Sequence, residues 1–262
     1  MKTVILCGGY GTRIRDVAEN IPKPMIPIGG KPILWHIMKY YSAFDFNEFI
    51  LCLGYKSEVI KDFFLNYDVR RSDIILNLGN SVDKKTSSSF KDDVNWNVVL
   101  AETGLDAMTG ARVKKIKKYI GTDSCFMLTY GDGVGDIDLD KLLAYHKSHG
   151  KMVTVTGVHP PGRFGELNIA DDGESVIGFN EKPQASGGYI NGGFFVFNSD
   201  FLDILSDEEN LVLEQAPMKK LVEMEELKVF KHDGFWQPMD TSREYLYLNE
   251  LYNQHKAPWM KW

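Results

Sequence analysis

The residues best suited to chemistry begin with a glycine-rich run, GGYGTRI at 8–14, which directly follows the apolar segment TVILC at 3–7. Glycines let the backbone approach a ligand closely, and a guanidinium such as that of Arg13 can bind two phosphate oxygens at once. Together with Lys23, these residues predict a loop that holds a triphosphate. Taken alone, the run also fits a tight turn between a strand and a helix, with cations at the surface.

Two familiar phosphate-binding loops are excluded by the same residues. The dinucleotide fingerprint G-x-G-x-x-G, begun at Gly9, requires a glycine where Ile14 stands, and no acidic residue follows at a second strand end. A P-loop requires a Gly-Lys-Ser/Thr triplet after the glycines, and the sequence has none there. These absences argue against a nicotinamide or flavin enzyme and against a P-loop ATPase or kinase.

A carboxylate follows a second apolar strand. The segment FMLTY runs into GDG, which places Asp132 at the carboxyl end of a predicted parallel strand. Open α/β sheets bind their ligands at that edge. Magnesium binds one or two carboxylates together with substrate phosphates, so Asp132 is a candidate Mg²⁺ ligand.

Polar residues in the second half suit a sugar phosphate. Glu181 and Lys182 lie in FNEKP, and Asn191 lies in YINGGFFVF. Carboxylate and amide groups bind hydroxyls, and an ammonium binds phosphate. Each of these residues alone also fits a turn or a surface ion pair, but together with the glycine run and Asp132 they predict one site.

Composition narrows the class of protein. The chain has 262 residues and a formal net charge of −6, which argues against a nucleic-acid binder. No apolar stretch approaches the roughly 20 residues of a membrane helix, and no signal-peptide pattern opens the chain, so we expect a cytoplasmic protein without a membrane partner. The separated Cys7, Cys52 and Cys125 are expected to be buried thiols.

Apolar strands alternate with amphipathic helices along the first half. Strands are predicted at 3–7, 48–55, 72–79, 95–102, 124–133 and 152–158, and helices at 31–44, 57–67, 111–121 and 139–150. The polar segment 80–94 lacks periodicity and is expected to leave the sheet. The order predicts a Rossmann-like α/β fold with a mostly parallel, mixed central sheet flanked by helices. We expect one domain over 1–262, with a nucleotide-binding half at 1–158 and a β-rich, sugar-phosphate-binding half at 159–262.

Several separated motifs resemble those of one family. GGYGTRI, PKPMIPIGGKPILWHIM, YGDG, FNEKP and INGGFFVF are similar to motifs of the sugar-1-phosphate nucleotidyltransferases. The similarity is strongest to the cytidylyl branch, through MTGARVKKI, VTGVHPPGRFGEL, GFWQPMDT and the terminal KAPWMKW. It extends from Met1 to Trp262 and is weakest over 80–95.

The resemblance implies a set of site residues. Those for the nucleotide are Leu6, Gly8, Gly9, Gly11, Thr12, Arg13, Lys23 and Gly131, with Thr109, Gly110 and Arg112 recognising the base from the loop 102–112. Those for the sugar phosphate are Gly165, Glu181, Lys182, Asn191 and Gly192, and those for Mg²⁺ are Asp132 and Asp240. Arg13, Lys23 and Asp132 are the expected catalytic residues. Ala111 stands where the family pattern has a second glycine.

The resemblance also implies an activity. It is the transfer of a cytidylyl group from CTP to α-D-glucose 1-phosphate, giving CDP-glucose and pyrophosphate, by a Mg²⁺-dependent homo-oligomer. The same chemistry with dTTP, UTP or another phosphorylated acceptor is an open alternative. An alternative of another class is a non-catalytic subunit that binds sugar nucleotides, but such a protein should have lost the phosphate cations or the metal carboxylates.

Overall fold

The computed structural model describes residues 1–11, 14, 21–69, 73–77, 83–87, 94–160, 166–170, 174–180 and 188–262. Its strands are β1 (Lys2–Leu6), β2 (Pro27–Ile28), β3 (Lys31–Pro32), β4 (Glu48–Leu53), β5 (Asp73–Asn77), β6 (Asp83–Ser87), β7 (Asn97–Glu102), β8 (Cys125–Tyr130), β9 (Gly133–Gly135), β10 (Val153–Val158), β11 (Glu166–Ile169), β12 (Val176–Asn180), β13 (Ile190–Asn198), β14 (Leu227–His232) and β15 (Trp236–Pro238). Its helices are α1 (Ile33–Ser42), α2 (Ser57–Leu65), α3 (Thr109–Lys115), α4 (Lys117–Ile120), α5 (Leu139–His149), α6 (Phe201–Ile204), α7 (Ala216–Glu223) and α8 (Ser242–Asn253). None of the helices in these ranges is long and apolar enough to cross a membrane.

One mixed sheet contains seven of these strands, in the order β14-β10-β13-β8-β1-β4-β7. β1 pairs in parallel with β4 and β8, and β4 pairs in parallel with β7. β13 runs antiparallel to both β8 and β10. The predicted α/β fold with a mostly parallel sheet is therefore confirmed. Strands from both sides of residue 158 share this sheet, and the division into two functional halves stays a prediction.

Both faces of the sheet are covered by helices, which explains the nearly continuous apolar sequences of its central strands. Alternate side chains point to opposite faces, so Ile5 packs on one side and Val4 and Leu6 on the other. Helices α1, α2, α5 and α8 cover the first face, and α3, α4, α6 and α7 cover the second. The sheet is thus held rigidly between two apolar cores.

The strand directions create one functional edge. The carboxyl ends of β1, β4, β7 and β8 meet there because these strands are parallel. β13 runs the opposite way, so its first residues, Ile190 and Asn191, lie at the same edge. The glycine run, the loop 102–112 and Asp132 all leave the sheet at this edge.

The region between α2 and β7 differs from its prediction. A strand does form at Asp73–Asn77, but it pairs with Asp83–Ser87 in a separate two-stranded antiparallel sheet. The prediction that the segment 80–94 leaves the sheet is confirmed at 83–87, which lie outside the seven-stranded sheet, but the strand formed there was not predicted. The sequence DKKTS is polar and carries no buried periodicity, which is why the strand was missed. Cys7 and Cys52 are buried as expected, whereas Cys125 is partly exposed.

The carboxyl-terminal segment packs back onto α1. Trp259 is fully buried, and its indole N–H donates a hydrogen bond to Nδ1 of His36 at 3.3 Å. The Nε2 atom of His36 lies 2.9 Å from the carbonyl oxygen of Ile28, which can only accept. Both contacts require the neutral imidazole that carries its proton on Nε2. Burial lowers the pKa of His36 to about 4.

We expect acid to destabilise the fold through His36. Its pKa is lower in the folded chain than its ordinary value of 6.5, so the unfolded chain binds the extra proton first as the pH falls. The free energy of unfolding should therefore drop between about pH 6.5 and pH 4, with a contribution from His36 of about 3 kcal/mol. Urea unfolding of the wild type and of His36→Gln at pH 7 and pH 4 isolates this contribution. An equal drop in both proteins would contradict it.

Candidate active site

A pocket of about 320 Å³ opens at the functional edge of the sheet. It is lined by residues 6–11, 23–24, 105–109, 112 and 130–132. The residues predicted for the nucleotide that lie in its wall are Leu6, Gly8, Gly9, Gly11, Lys23, Thr109, Arg112 and Gly131. Gly110 is buried and does not line the pocket, and Thr12 and Arg13 lie outside the described residues. The structure thus gathers segments from the first and second hundred residues of the chain around one pocket.

The structure gives different physical reasons for glycine at positions 8, 9 and 11. A Cβ atom on Gly8 would lie 2.2 Å from Cζ of Arg112, so this glycine makes room for a guanidinium. Gly11 has a φ of +60°, which favours glycine. Nothing lies within 4 Å of the corresponding Cβ position on Gly9. Of these three positions, Gly9 is where the backbone is open toward the pocket.

Arg112 holds the walls of the pocket together. The predicted base-contacting guanidinium is 4% exposed, and it donates to the carbonyl oxygens of Gly8 (3.1 Å), Leu53 (2.8 Å), Gly104 (2.8 Å) and Leu105 (3.2 Å) and to the hydroxyl of Thr103 (2.7 Å). Burial lowers the pKa of Arg112, but these acceptors satisfy its charge. Its Nη donors are thus directed at the chain itself, at the ends of β1, β4 and β7.

A lysine lies between two carboxylates at one side of the pocket. The ammonium of Lys23 donates to Asp132 at 2.5 Å and also contacts Asp240. Burial works against the charge of Lys23, but Asp132 and Asp240 outweigh it and raise the pKa of the ammonium. The structure therefore brings together three predicted residues from the first and second halves of the chain.

Backbone hydrogen bonds fix the two turns that carry Asp132 and Asp240. The carbonyl oxygen of Asp132 accepts a hydrogen bond from the backbone N–H of Met239 at 2.8 Å, which joins the turns after β8 and β15. Helix α8 begins with a capping box in which Thr241 and Glu244 bond reciprocally. Glu244 also accepts from the backbone N–H of Asp240 at 2.6 Å. The pattern T-x-x-E at 241–244 could have revealed this role of Glu244 in the sequence.

Asp132 and Asp240 fit a divalent cation. Their carboxylates already accommodate one positive charge, the ammonium of Lys23. In the described part of the chain, no group of three or more His, Cys, Asp or Glu side chains could hold a metal ion. Two carboxylates are the protein ligands that suit a cation which also binds substrate phosphates.

The residues predicted for the sugar phosphate are only partly described. Asn191 and Gly192 are the second and third residues of β13 at the functional edge, and the amide of Asn191 donates to the hydroxyl of Tyr130 at 3.1 Å. Trp236 donates from its indole N–H to the carbonyl oxygen of Gly192 at 2.7 Å. Gly165, Glu181 and Lys182 lie outside the described residues.

Comparison with known proteins identifies the family. The profile of the Nucleotidyl transferase family matches residues 2–255. The chain belongs to this family. It is 46% identical over 262 residues to glucose-1-phosphate cytidylyltransferase of Salmonella typhi, and 44% identical over 264 residues to a probable glucose-1-phosphate cytidylyltransferase of Bacillus subtilis. Both alignments cover 100% of each chain. The resemblance stated from the motifs is confirmed.

Solved structures agree with this nucleotidyl transferase fold. The crystal structure of HddC from Yersinia pseudotuberculosis has a TM-score of 0.67 and 25% identity, and the match covers 96% of this chain and 99% of that one. The same protein, complexed with GMP-PN, matches with the same TM-score.

Sequence reasoning missed several polar contacts around the nucleotidyl transferase pocket. The hydroxyl of Tyr10 donates to Asp106 at 2.9 Å and joins the glycine run to the loop 102–112. Glu214 accepts hydrogen bonds from Thr109 and Tyr130. Their partners are 84 to 105 residues apart in the sequence. No local pattern marks such contacts.

We expect Arg112→Lys to destabilise the protein before any nucleotide binds. An ammonium cannot reproduce the fork of a guanidinium, so several buried carbonyl groups lose a charged donor. The free energy of unfolding without nucleotide should fall by at least about 2 kcal/mol, since a bond to a charged group is worth about 1.5–3 kcal/mol. Urea unfolding measures this change. Arg243→Lys, at an exposed position of α8, is the matched control and should have little effect. Unchanged stability with weaker nucleotide binding would contradict this role.

Proposed function

We propose that this nucleotidyl transferase transfers the cytidylyl group of CTP to α-D-glucose 1-phosphate, forming CDP-glucose and pyrophosphate. The observation that carries the proposal is the convergence of Lys23, Asp132 and Asp240 beside the glycine-lined pocket. The choice of substrates is supported by the full-length relatives that are named glucose-1-phosphate cytidylyltransferase.

The reaction needs no general base. Its nucleophile is a phosphate oxygen of glucose 1-phosphate, which is already ionised at neutral pH. This oxygen forms a bond to the α-phosphorus of CTP while the bond from that phosphorus to the leaving pyrophosphate breaks. The main obstacle is repulsion between two anions, which the site must neutralise while it aligns them in line.

The cations of the chain meet this need. Lys23 lies at the pocket beside Gly11, and its ammonium contacts both carboxylates. Arg13, in the glycine run, is proposed to bind the phosphates with it. Asp132 and Asp240 are proposed to hold Mg²⁺. When bound, Mg²⁺ supplies Lewis-acid charge neutralisation at the phosphate oxygens.

The sugar phosphate is assigned to the start of β13 and the loops beside it. Asn191 and Gly192 lie at the functional edge, next to Tyr130 and two strands from the glycine run. Gly165, Glu181 and Lys182 complete the proposed set, with Lys182 binding the phosphate. Nucleophile and triphosphate would then approach each other across the end of β8, where Asp132 lies.

Recognition of cytosine is assigned to the loop 102–112. Leu105, Met108 and Thr109 line the pocket, and Arg112 fixes the loop by binding its backbone. We therefore propose that Arg112 acts on the base by positioning this loop. Gly110, which the resemblance assigns to base recognition, packs closely on the segment that contains Leu211, so we propose that it too acts by positioning the loop.

The alternatives differ in substrate or in class. Another nucleotide or phosphorylated acceptor would use the same cations and carboxylates. A non-catalytic subunit is disfavoured because Lys23, Asp132 and Asp240 are present and in contact. Homo-oligomer formation and cytoplasmic location stay predictions, the first of which sedimentation velocity can test.

We expect pyrophosphate release with CTP and glucose 1-phosphate in the presence of Mg²⁺. A coupled assay over CTP, dTTP, UTP, ATP and GTP against several sugar 1-phosphates tests this specificity. Faster release with dTTP or UTP than with CTP would overturn the base assignment. No release with any pair would favour the non-catalytic alternative.

We expect Asp132→Asn to reduce turnover more than substrate binding. Removal of one partner of a buried charged group costs about 2–5 kcal/mol, so kcat should fall by about 30- to 5000-fold. The concentration of Mg²⁺ that gives half-maximal rate should rise, which steady-state assays over a range of Mg²⁺ concentrations measure.

Asp140→Asn is the matched control for this variant. Asp140 is exposed on α5 and lies only eight positions along the chain. It should leave kcat and the Mg²⁺ requirement unchanged. An Asp132→Asn enzyme with normal Mg²⁺-dependent pyrophosphate release would rule out the metal assignment.

A further inference from the structure

Segment 209–214, called the strap below, is bound closely to the loop 102–112. The backbone N–H of Gly110 donates to the carbonyl oxygen of Leu211 at 2.9 Å, and that of Leu213 donates to the hydroxyl of Thr109 at 2.9 Å. A Cβ atom on Gly110 would lie 2.9 Å from the same carbonyl oxygen. The backbones are therefore in direct contact, and we expect the strap to follow any movement of the loop.

Glu214, at the end of the strap, contacts the end of strand β8. One carboxylate oxygen accepts a hydrogen bond from the hydroxyl of Thr109 at 2.7 Å, and the other accepts one from the hydroxyl of Tyr130 at 2.5 Å. Tyr130 ends β8, lines the pocket and precedes Asp132 by two residues. A single exposed carboxylate thus joins the loop proposed to bind the base to the strand that carries the metal ligand.

The Tyr130 hydroxyl continues this chain of contacts into the sugar-phosphate region. It accepts a hydrogen bond from the amide of Asn191 at 3.1 Å, and the amide oxygen of Asn191 accepts from the backbone N–H of Gly193 at 2.9 Å. Gly193 has a φ of +78°, and a Cβ atom there would lie 2.4 Å from the ring of Tyr130. The ring is seated directly on β13, so Tyr130 and the start of β13 form a second unit.

We propose that Glu214 is a positioning residue that couples the nucleotide subsite to the sugar-phosphate subsite. The proposal rests on the function proposed above. A nucleotide that fixes the loop 102–112 also fixes the strap and hence the carboxylate of Glu214. The carboxylate then holds the Tyr130 hydroxyl, which orients the otherwise exposed amide of Asn191 for the second substrate.

The effect of bound nucleotide on the affinity for the sugar phosphate follows from how the side chain of Asn191 is oriented. Asn191 is exposed, and within the described residues the contact with Tyr130 is one of two hydrogen bonds that orient its side chain. If bound nucleotide has already fixed this contact, the protein loses less conformational entropy when the sugar phosphate binds. Nucleotide should therefore strengthen the binding of glucose 1-phosphate.

Calorimetry measures this coupling directly. The dissociation constant of glucose 1-phosphate is measured with Mg²⁺ in the absence and in the presence of saturating α,β-methylene CTP. For the wild type we expect the ratio of the two constants to be at least about 10, within the usual range of about 5 to 150 for coupled sites. In Glu214→Gln and Glu214→Ala the ratio should fall below about 3, while the affinity for α,β-methylene CTP alone changes less than about threefold.

A double-mutant cycle separates coupling from a general structural role. Tyr130→Phe keeps the ring and removes the hydroxyl, so the double variant with Glu214→Gln should lose no more coupling than either single variant. Glu209→Gln is the matched control, because Glu209 lies on the same strap and its side chain pairs with Lys115 at 2.6 Å. This control should keep the wild-type ratio. Urea unfolding confirms that each variant is folded.

The outcomes distinguish this proposal from the proposed function. A ratio near 1 in the wild type, or the wild-type ratio in the Glu214 variants, would overturn the coupling role even if CTP and glucose 1-phosphate are turned over normally. If the wild type instead uses another pair of substrates, the proposed specificity fails. The same cycle with the methylene analogue of that nucleotide and its sugar phosphate then decides the role of Glu214.

Discussion

The site depends on one buried charge. The guanidinium of Arg112 is taken out of water, and its charge is balanced only because the ends of β1, β4 and β7 present oxygen atoms to it. Those contacts fix where the glycine run and the loop 102–112 leave the sheet. The glycines at 8 and 54 follow from the same constraint, since a Cβ atom at either position would clash with the guanidinium. The buried contacts of Arg112 therefore determine the shape of the pocket.

Lys23 and Asp132 of the same pocket form, together with Asp240, a cluster of three charged residues that is suited to phosphate transfer. Lys23 lies between Asp132 and Asp240 and offsets part of the repulsion between their two negative charges. The nucleophile arrives already ionised, so the site needs positive charge and alignment more than it needs a proton acceptor. The structure gathers one ammonium and two carboxylates beside the glycine loop, and a divalent cation on the carboxylates would add the positive charge that the substrates require.

The sequence allowed the fold and part of the site to be predicted because both depend on local patterns. Apolar runs of strand length, glycine turns and the motifs around Asp132 are visible along the chain. Contacts between distant segments are not. Arg112 was assigned to the base through the family resemblance, whereas its burial depends on carbonyl groups more than 50 residues away at Leu53 and Gly8, which no local pattern marks. Glu214 was missed for the same reason.

Ala111 stands where the family pattern has a glycine, and the structure shows how an alanine fits there. Ala111 is 3% exposed, and its backbone N–H donates to the carbonyl oxygen of Leu211, so the position still ties the loop to the strap. The steric requirement for glycine falls on the neighbouring Gly110, where a Cβ atom would lie 2.8 Å from the side chain of Leu211. A methyl group at 111 instead becomes part of the buried interior. The loop therefore contacts the strap at both positions, and only Gly110 is required to be a glycine by that contact.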